Sequence, residues 1–147
     1  MTRVFSYLFG VLGGMGMIDA LYLSLEHARN VVPTCIVFDR CATVLTSPYA
    51  YMFGIPLAYI GFVFYAALFF CGLFIIMRGW TRPLSIVAVG MAAAAAIASG
   101  ILFSIQAFVI GAFCLYCVLS ELISVCIAGV VGAMAYTARR GLARPGY

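Results

Sequence analysis

The stretch that decides the fold runs from Leu84 to Ile110 and reads LSIVAVGMAAAAAIASGILFSIQAFVI, without one charged side chain. It exceeds the roughly 20 apolar residues that a helix needs to cross the hydrocarbon core of a membrane. The whole chain shares this character, since 67% of its residues are hydrophobic and only 8% are charged, against about 25% in soluble domains. The sequence therefore predicts an integral membrane protein.

Three further apolar stretches give the 147 residues four crossings in total. We predict an all-α bundle of four transmembrane helices in a single membrane domain, residues 1–147. The first stretch is expected to stay as an uncleaved helix, because no small-residue cleavage pattern follows Leu25. The predicted helices cover residues 4–26, 55–77, 84–110 and 113–137, and a long loop covers residues 27–54.

The positions of the basic residues predict how the helices are oriented. In a four-crossing chain most of the arginines fall on one side, and by the positive-inside rule that side is cytoplasmic, with both termini. This arrangement leaves no basic patch large enough for nucleic acid. The cytoplasmic arginines are Arg3, Arg78, Arg82, Arg139, Arg140 and Arg144, and the two on the other side are Arg29 and Arg40.

Two cysteine pairs are predicted to meet at the extracytoplasmic surface. Cys35 and Cys41 lie in the long loop, and Cys114 and Cys117 form a Cys-Leu-Tyr-Cys motif at the start of the last helix. Disulfides persist outside the cytosol, and the start of a helix favours a reactive thiolate. We therefore predict a thiol–disulfide exchange site. Two structural disulfides or a zinc site are the alternatives, although the pairs lack zinc-ribbon context and no metal is predicted.

Polar residues inside the predicted spans outline a pocket beside the Cys-Leu-Tyr-Cys motif. Glu121 lies one helical turn beyond Cys117 on the same face, and charged groups in a span normally face the interior of the bundle. A flat, apolar two-electron acceptor would fit such a pocket. A small transporter that couples protons through Glu121 is the alternative. The predicted pocket residues are Asp19, Tyr51, Phe53, Tyr59, Phe62, Ser99, Phe103, Gln106 and Glu121.

Small residues recur at helical spacing along three of the spans, which lets helix backbones approach closely in lipid. We predict that they pack within the bundle, and a homo-oligomer through one of these faces is the alternative. Cys71 and Cys126, which lie deeper along the spans, are predicted to be apolar filler. The small residues are Gly10, Gly14, Gly90, Ala94, Ala98, Gly129 and Ala133.

These motifs together resemble the vitamin K epoxide reductase family along essentially the whole chain. The resemblance rests on Cys41, Thr46-Ser47-Pro48-Tyr49, Gly54-Ile55-Pro56-Leu57-Ala58, Gln106 and Cys114-Leu-Tyr-Cys117. The short gap between Cys35 and Cys41, with no fused thioredoxin-like domain, suggests a stand-alone prokaryotic form. In the family, a short helix in the loop covers the pocket, which here implies a helix near residues 41–51.

The resemblance implies a membrane oxidase for disulfide formation, similar in function to the bacterial DsbB proteins. It would take electrons from a secreted thioredoxin-fold (DsbA-like) partner and pass them to a membrane quinone of the ubiquinone or menaquinone type. A vitamin K or quinone epoxide reductase is the alternative within the family. Against it, this chain has Glu121 four residues after the motif, where animal enzymes carry a quinone-contacting tyrosine.

The family pattern also assigns roles to single residues. Cys35 would exchange with the partner, Cys41 would pair transiently with Cys114, and Cys117 would reduce the quinone. Ser47 would donate a hydrogen bond to a quinone carbonyl. The alternative for Ser47 is a turn cap before Pro48.

Overall fold

The computed structural model of the protein describes residues 2–31 and 40–142. Four of its helices are long and apolar enough to cross a membrane, which confirms the predicted all-α bundle. Within the described ranges the α-helices are α1 (Thr2–Ala28), α2 (Cys41–Leu45), α3 (Leu57–Arg78), α4 (Arg82–Ser104) and α5 (Leu115–Leu142). A π-helical turn, Ile105–Ile110, continues α4, and a 3-10 turn, Pro48–Ala50, follows α2.

The core lies where α1, α3 and α5 meet, and α4 packs mainly on α5. Its fully buried side chains are almost all aliphatic or aromatic, as expected for the interior face of each helix. Large apolar side chains also cover the outside, where lipid would solvate them. The largest fully buried side chains of this core are Phe9, Leu68, Ile75, Ile127, Val131 and Met134.

The loop between α1 and α3 contains the predicted short helix as α2 and the 3-10 turn. It also contains an antiparallel hairpin, β1 (Tyr51–Met52) with β2 (Ile55–Pro56), which was not predicted. Phe53 and Gly54 form its two-residue turn, and both have positive φ, 53° and 80°. Two consecutive positive φ values are typical of the type I′ turns that close hairpins. Because β2 occupies Ile55–Pro56, α3 begins two residues later than predicted.

The connection between α4 and α5 differs from the predicted helix start at residue 113. Gly111 adopts a left-handed conformation, with φ 65°, and ends the π-helical turn. The next helical residue is Leu115. The loop helix α2 packs at this same end of the bundle, because Cys41 and Val44 lie in one buried cluster with Ala112 and Cys114.

The tightest helix contact joins α1 and α3 through glycine. A Cβ atom added to Gly72 would lie 2.9 Å from the Gly10 Cα atom, and one added to Gly13 would lie 3.0 Å from the Phe69 backbone. Gly10 therefore packs within the bundle, as predicted. The prediction was wrong for Gly90 and Gly129, which have nothing within 4 Å of an added Cβ because they lie on the outer faces of α4 and α5.

We expect Gly72→Ala to lower the free energy of unfolding by about 1–3 kcal/mol, because its methyl group must push the α1 backbone away. Gly90→Ala is the matched control, and we expect it to stabilise by about 0.5–1 kcal/mol, since alanine costs less backbone entropy in a helix. Unfolding in detergent micelles measures both. Equal effects of the two substitutions would contradict the glycine contact.

Candidate functional site

The site lies at the end of the bundle that α2 covers. Cys41, the first residue of α2, is 2% exposed and is disulfide-bonded. Cys114 is fully buried in the same cluster, and Cys117 packs against that cluster. Cys114 and Cys117 are both free thiols. The fourth predicted cysteine, Cys35, lies outside the described residues.

Cys114 occupies the position just before α5 and caps that helix with its sulfur. The Cys117 backbone N–H donates to the Cys114 Sγ atom over 3.4 Å. The sulfur thus accepts the bond that a serine hydroxyl oxygen accepts at the start of many helices. The Val118 N–H donates to the Cys114 carbonyl oxygen over 2.9 Å. The sulfur and the carbonyl oxygen of Cys114 therefore each accept one of the first amides of α5.

This cap acts on the acidity of Cys114. A hydrogen bond from the Cys117 thiol lowers the pKa of the Cys114 thiol below its ordinary value, and the Cys117 and Tyr116 backbone amides act in the same direction. Burial and the Asp19 carboxyl oppose them without reversing the shift. At a pH just below the ordinary thiol range, Cys114 thus carries more of the nucleophilic thiolate than an isolated cysteine does.

We expect Cys117→Ala to raise the pKa of Cys114, because the strongest donor to its sulfur is lost. Cys117→Ser keeps a donor and should shift the pKa less. The ultraviolet absorbance of the thiolate, titrated in a background with alanine at the other four cysteines, measures both. If the alanine and serine variants titrate alike, the side-chain hydrogen bond does not set the acidity of Cys114.

A hydrogen-bonded chain leads from Cys114 into the bundle through Gln106. The Cys114 backbone N–H donates to Gln106 Oε1 over 3.1 Å, and Gln106 Nε2 donates to Glu121 Oε1 over 2.6 Å. Gln106 is 3% exposed and Glu121 is 8% exposed. Glu121 Oε2 is buried without a hydrogen-bond partner among the described residues. Gln106 thus occupies one oxygen of Glu121 and leaves the other without a partner in this part of the chain.

Glu121 also lines a groove between α4 and α5. The groove has a volume of about 240 Å³ and is apolar apart from Ser99 and Glu121. Phe103 forms part of its wall, and its ring lies 5.8 Å from the Phe113 ring, centroid to centroid. Val118, which follows Cys117 in the chain, lines the groove, whereas Cys114 and Cys117 do not.

Asp19 faces the same region from α1. It is 8% exposed, and its Oδ2 atom is buried without a hydrogen-bond partner among the described residues. It lies close enough to Cys114 and Cys117 to interact with both electrostatically. Asp19 and Glu121, both buried, therefore interact electrostatically with the thiol of Cys117, and Asp19 also with that of Cys114.

Other predicted pocket residues lie elsewhere. Phe53, at the tip of the hairpin, is 98% exposed. Tyr59 and Tyr51 pack edge-on against His27, with ring centroids 6.0 and 5.7 Å away, and so form a separate aromatic cluster near the C-terminal end of α1. Phe62 packs against the main core. None of these four aromatic side chains lines the groove described above.

Ser47 uses its hydroxyl within the loop. The Ser47 Oγ atom donates to the Val44 carbonyl oxygen over 2.7 Å, at the end of α2. Its single proton is committed there, so donation to a quinone carbonyl would require this bond to break. The Ser47 side chain makes no capping hydrogen bond to the 3-10 turn that begins at Pro48, so its hydroxyl serves the end of α2 instead.

Sequence reasoning missed a polar cluster behind the cysteine motif. The Tyr65 hydroxyl donates to the Ser120 carbonyl oxygen over 2.7 Å and lies 2.7 Å from Ser124 Oγ. The Tyr65 ring packs against Gly16, where an added Cβ would clash with it. Tyr65 therefore links α3 to α5 by hydrogen bonds to two α5 residues that flank Glu121 in the sequence. The signal for it was the second of the two tyrosines of α3, which lies deeper in the apolar stretch than Tyr59.

The sequence was compared with models of known protein families and with curated proteins. The model of the vitamin K epoxide reductase family matches residues 7–136. The matched range includes most of α1, the loop helix α2, both cysteine pairs and Glu121. Among curated proteins, none matches this sequence.

Proposed function

The chain belongs to the vitamin K epoxide reductase family of membrane oxidoreductases, and on that premise we propose that it reoxidises a secreted thioredoxin-fold protein and reduces a membrane quinone. The net result is the formation of disulfide bonds outside the cytosol. One observation carries this proposal: Cys41 is disulfide-bonded and buried in the same cluster as Cys114, while Cys114 and Cys117 are free thiols.

The first exchange takes place at the loop pair. A thiolate of the partner attacks the Cys35–Cys41 disulfide at Cys35, and the second partner thiol then closes the partner's own disulfide. Two electrons and two protons pass from the partner to Cys35 and Cys41. The attacking species is a thiolate, so access of the partner to the loop sets the rate of this step.

The second exchange passes the electrons to the membrane. The Cys41 thiolate attacks the Cys114 sulfur of a Cys114–Cys117 disulfide, and Cys117 leaves as a thiolate. Cys35 then attacks Cys41, which restores the loop disulfide and leaves Cys114 and Cys117 reduced. The redox states of Cys41, Cys114 and Cys117 in the structure match the end of this step.

Burial of both sulfur atoms supports direct exchange between the loop and the bundle. Cys41 is 2% exposed, and Cys114 is fully buried beside it. Water and small thiols are therefore kept from Cys114, whereas α2 carries Cys41 to it. The lowered pKa of Cys114 makes it a good leaving thiolate when the mixed disulfide is resolved.

The groove between α4 and α5 fits an apolar ring with one polar contact. Its walls are apolar, and Glu121, whose Oε2 atom has no hydrogen-bond partner among the described residues, contributes a carboxyl group to its lining. We assign Glu121 and Phe103 to quinone binding, with Ser99 as a further polar contact. When bound, a quinone accepts two electrons and two protons.

The chain's own residues handle the protons. Closing the Cys114–Cys117 disulfide releases two protons along with two electrons. Asp19, which interacts electrostatically with both thiols, would accept a proton from Cys117. Glu121 is placed to donate one into the groove. Charged groups inside a membrane bundle are costly, so two carboxyl groups beside one cysteine motif indicate function.

The orientation of the site is part of this proposal. The arginine bias of the sequence places α2 and the Cys-Leu-Tyr-Cys motif on the extracytoplasmic side. Only there can a secreted partner reach Cys35. Labelling of introduced cysteines by a membrane-impermeant maleimide in intact cells and in inverted vesicles tests it, and labelling of the α2 end from the cytosol would contradict it.

A reconstituted assay tests the function directly. The purified protein is incubated with a reduced DsbA-like protein and a soluble ubiquinone or menaquinone analogue, and partner disulfide and hydroquinone are both measured. We expect them in equal amounts. Quinone reduction by a small dithiol without any turnover of the protein partner would instead support the vitamin K or quinone epoxide reductase alternative.

A further inference from the structure

Gln106 does not act as a wall of the quinone groove, although it belongs to the same region of the bundle. It is 3% exposed and is absent from the residues that line the groove. Both polar atoms of its side chain are engaged within the protein, one by Cys114 and the other by Glu121. Its contacts thus run between two parts of the site.

The orientation of the Gln106 amide is dictated by its neighbours. The Cys114 backbone N–H is a donor and has to meet the carbonyl oxygen, Oε1. The NH₂ group is then turned toward Glu121, whose Oε1 atom accepts from it over 2.6 Å. With Oε1 of Glu121 occupied, Oε2 is the oxygen without a partner in the described residues.

The π-helical turn at Ile105–Ile110 is what presents Gln106 in this way. Its wider turn leaves the Gln106 carbonyl to accept from the Ala112 N–H over 3.2 Å, beyond the end of the turn. π-helical turns inside transmembrane helices are rare and occur frequently at functional sites. Here the turn brings the Gln106 side chain against the backbone of Cys114, the residue just before α5.

We propose that Gln106 is a positioning residue that holds the Glu121 carboxyl beside the groove through Oε1 and so leaves Oε2 as the oxygen without a partner in the described residues. This inference rests on the proposed quinone reduction, in which Glu121 is the proton donor. It assigns Gln106 as the group that orients Glu121. Gln106 does not line the groove, and its hydrogen bond to Cys114 goes to the backbone N–H and not to the sulfur, so it acts through Glu121. Its hydrogen bond to the Cys114 backbone holds the amide itself in place.

Infrared spectroscopy tests the contact without any turnover. The carboxyl band of Glu121 is the one that disappears in Glu121→Gln. We expect Gln106→Leu, which keeps the approximate size but removes both hydrogen bonds, to move this band to higher wavenumber. Gln106→Glu, which keeps an acceptor for Cys114 but loses the amide donor, should move it as well. An unshifted band in both variants would overturn the proposal.

Kinetics separate positioning from a merely structural role. We expect Gln106→Leu to lower the turnover number for quinone reduction about 10- to 100-fold, as for loss of an oriented acid. In a Glu121→Gln background the same substitution should change turnover less than about twofold, because the group it positions is already gone. An equal loss in both backgrounds would overturn the proposal.

A matched control and a second half-reaction keep this test separate from the proposed function. Ser104→Ala, two residues away on the exposed face, removes only a hydrogen bond to the Gly100 carbonyl and should leave turnover unchanged. Exchange between the partner and the loop cysteines should be the same in all Gln106 variants. If the unaltered protein reduces no quinone, the proposed function fails, whereas the infrared shift still decides the role of Gln106.

Discussion

Cys117→Ser is expected to reduce steady-state quinone reduction by roughly a thousandfold or more, the scale of losing a covalent catalytic group. Without the Cys117 sulfur, Cys114 has no intramolecular partner with which to form a disulfide. Two electrons then cannot leave the motif together. Partner oxidation should stop after the loop pair has been reduced once, so a single turnover of partner disulfide is expected per protein.

Cys126→Ser provides the matched control for this loss. Cys126 lies on the same helix, α5, and is a free thiol, but it is exposed on the outside of the bundle. We expect it to retain full turnover. A Cys117→Ser variant that keeps the activity of the unaltered protein would remove the motif from the mechanism. Quinone reduction and partner oxidation are followed in the same reaction.

Glu121→Gln is expected to lower quinone reduction about 10- to 100-fold, the usual contribution of a positioned general acid. The amide has nearly the same shape and can still donate a hydrogen bond, but it cannot donate a proton. Exchange between the partner and the loop cysteines lies outside the groove and should be unchanged. The effect should therefore appear in the quinone half-reaction alone, in single-turnover measurements with the prereduced protein.

The control for charge removal is Glu26→Gln. Glu26 lies near the end of α1, where its Oε1 atom is 3.8 Å from Nη1 of Arg29, and it does not line the groove. We expect this variant to behave as the unaltered protein. Equal rates for Glu121→Gln and Glu26→Gln would show that Glu121 is not the proton donor, and would leave Asp19 as the remaining carboxyl beside the motif.

The sequence was sufficient for the fold because membrane crossing depends on length and apolarity, which are local properties. The charge-free run Leu84–Ile110 and its three counterparts specify four helices without any knowledge of packing. The position of the Cys-Leu-Tyr-Cys motif at the beginning of α5 was equally readable, since Gly111 marks the end of the preceding turn.

The pocket was only partly readable, because its detail depends on local backbone geometry. The π-helical turn gives the Gln106 side chain a different direction from the one it would have in a regular α-helix. The apolar sequence around it contains no signal that predicts such a turn. The two-residue strands of the hairpin are too short to show alternation, so Phe53 looked like a pocket wall when it is a turn residue. Tyr65 was missed for a similar reason, since its partners Ser120 and Ser124 lie far along the chain.

The central claim is that Cys41 of the loop exchanges directly with Cys114 of the bundle. The most direct measurement uses a Cys35→Ser and Cys117→Ser double variant, oxidised mildly in the membrane and digested for mass spectrometry. We predict a disulfide between Cys41 and Cys114 in most of the protein. If those two residues stay as free thiols, or pair instead with Cys71 or Cys126, then the transfer between loop and membrane does not take place by this route.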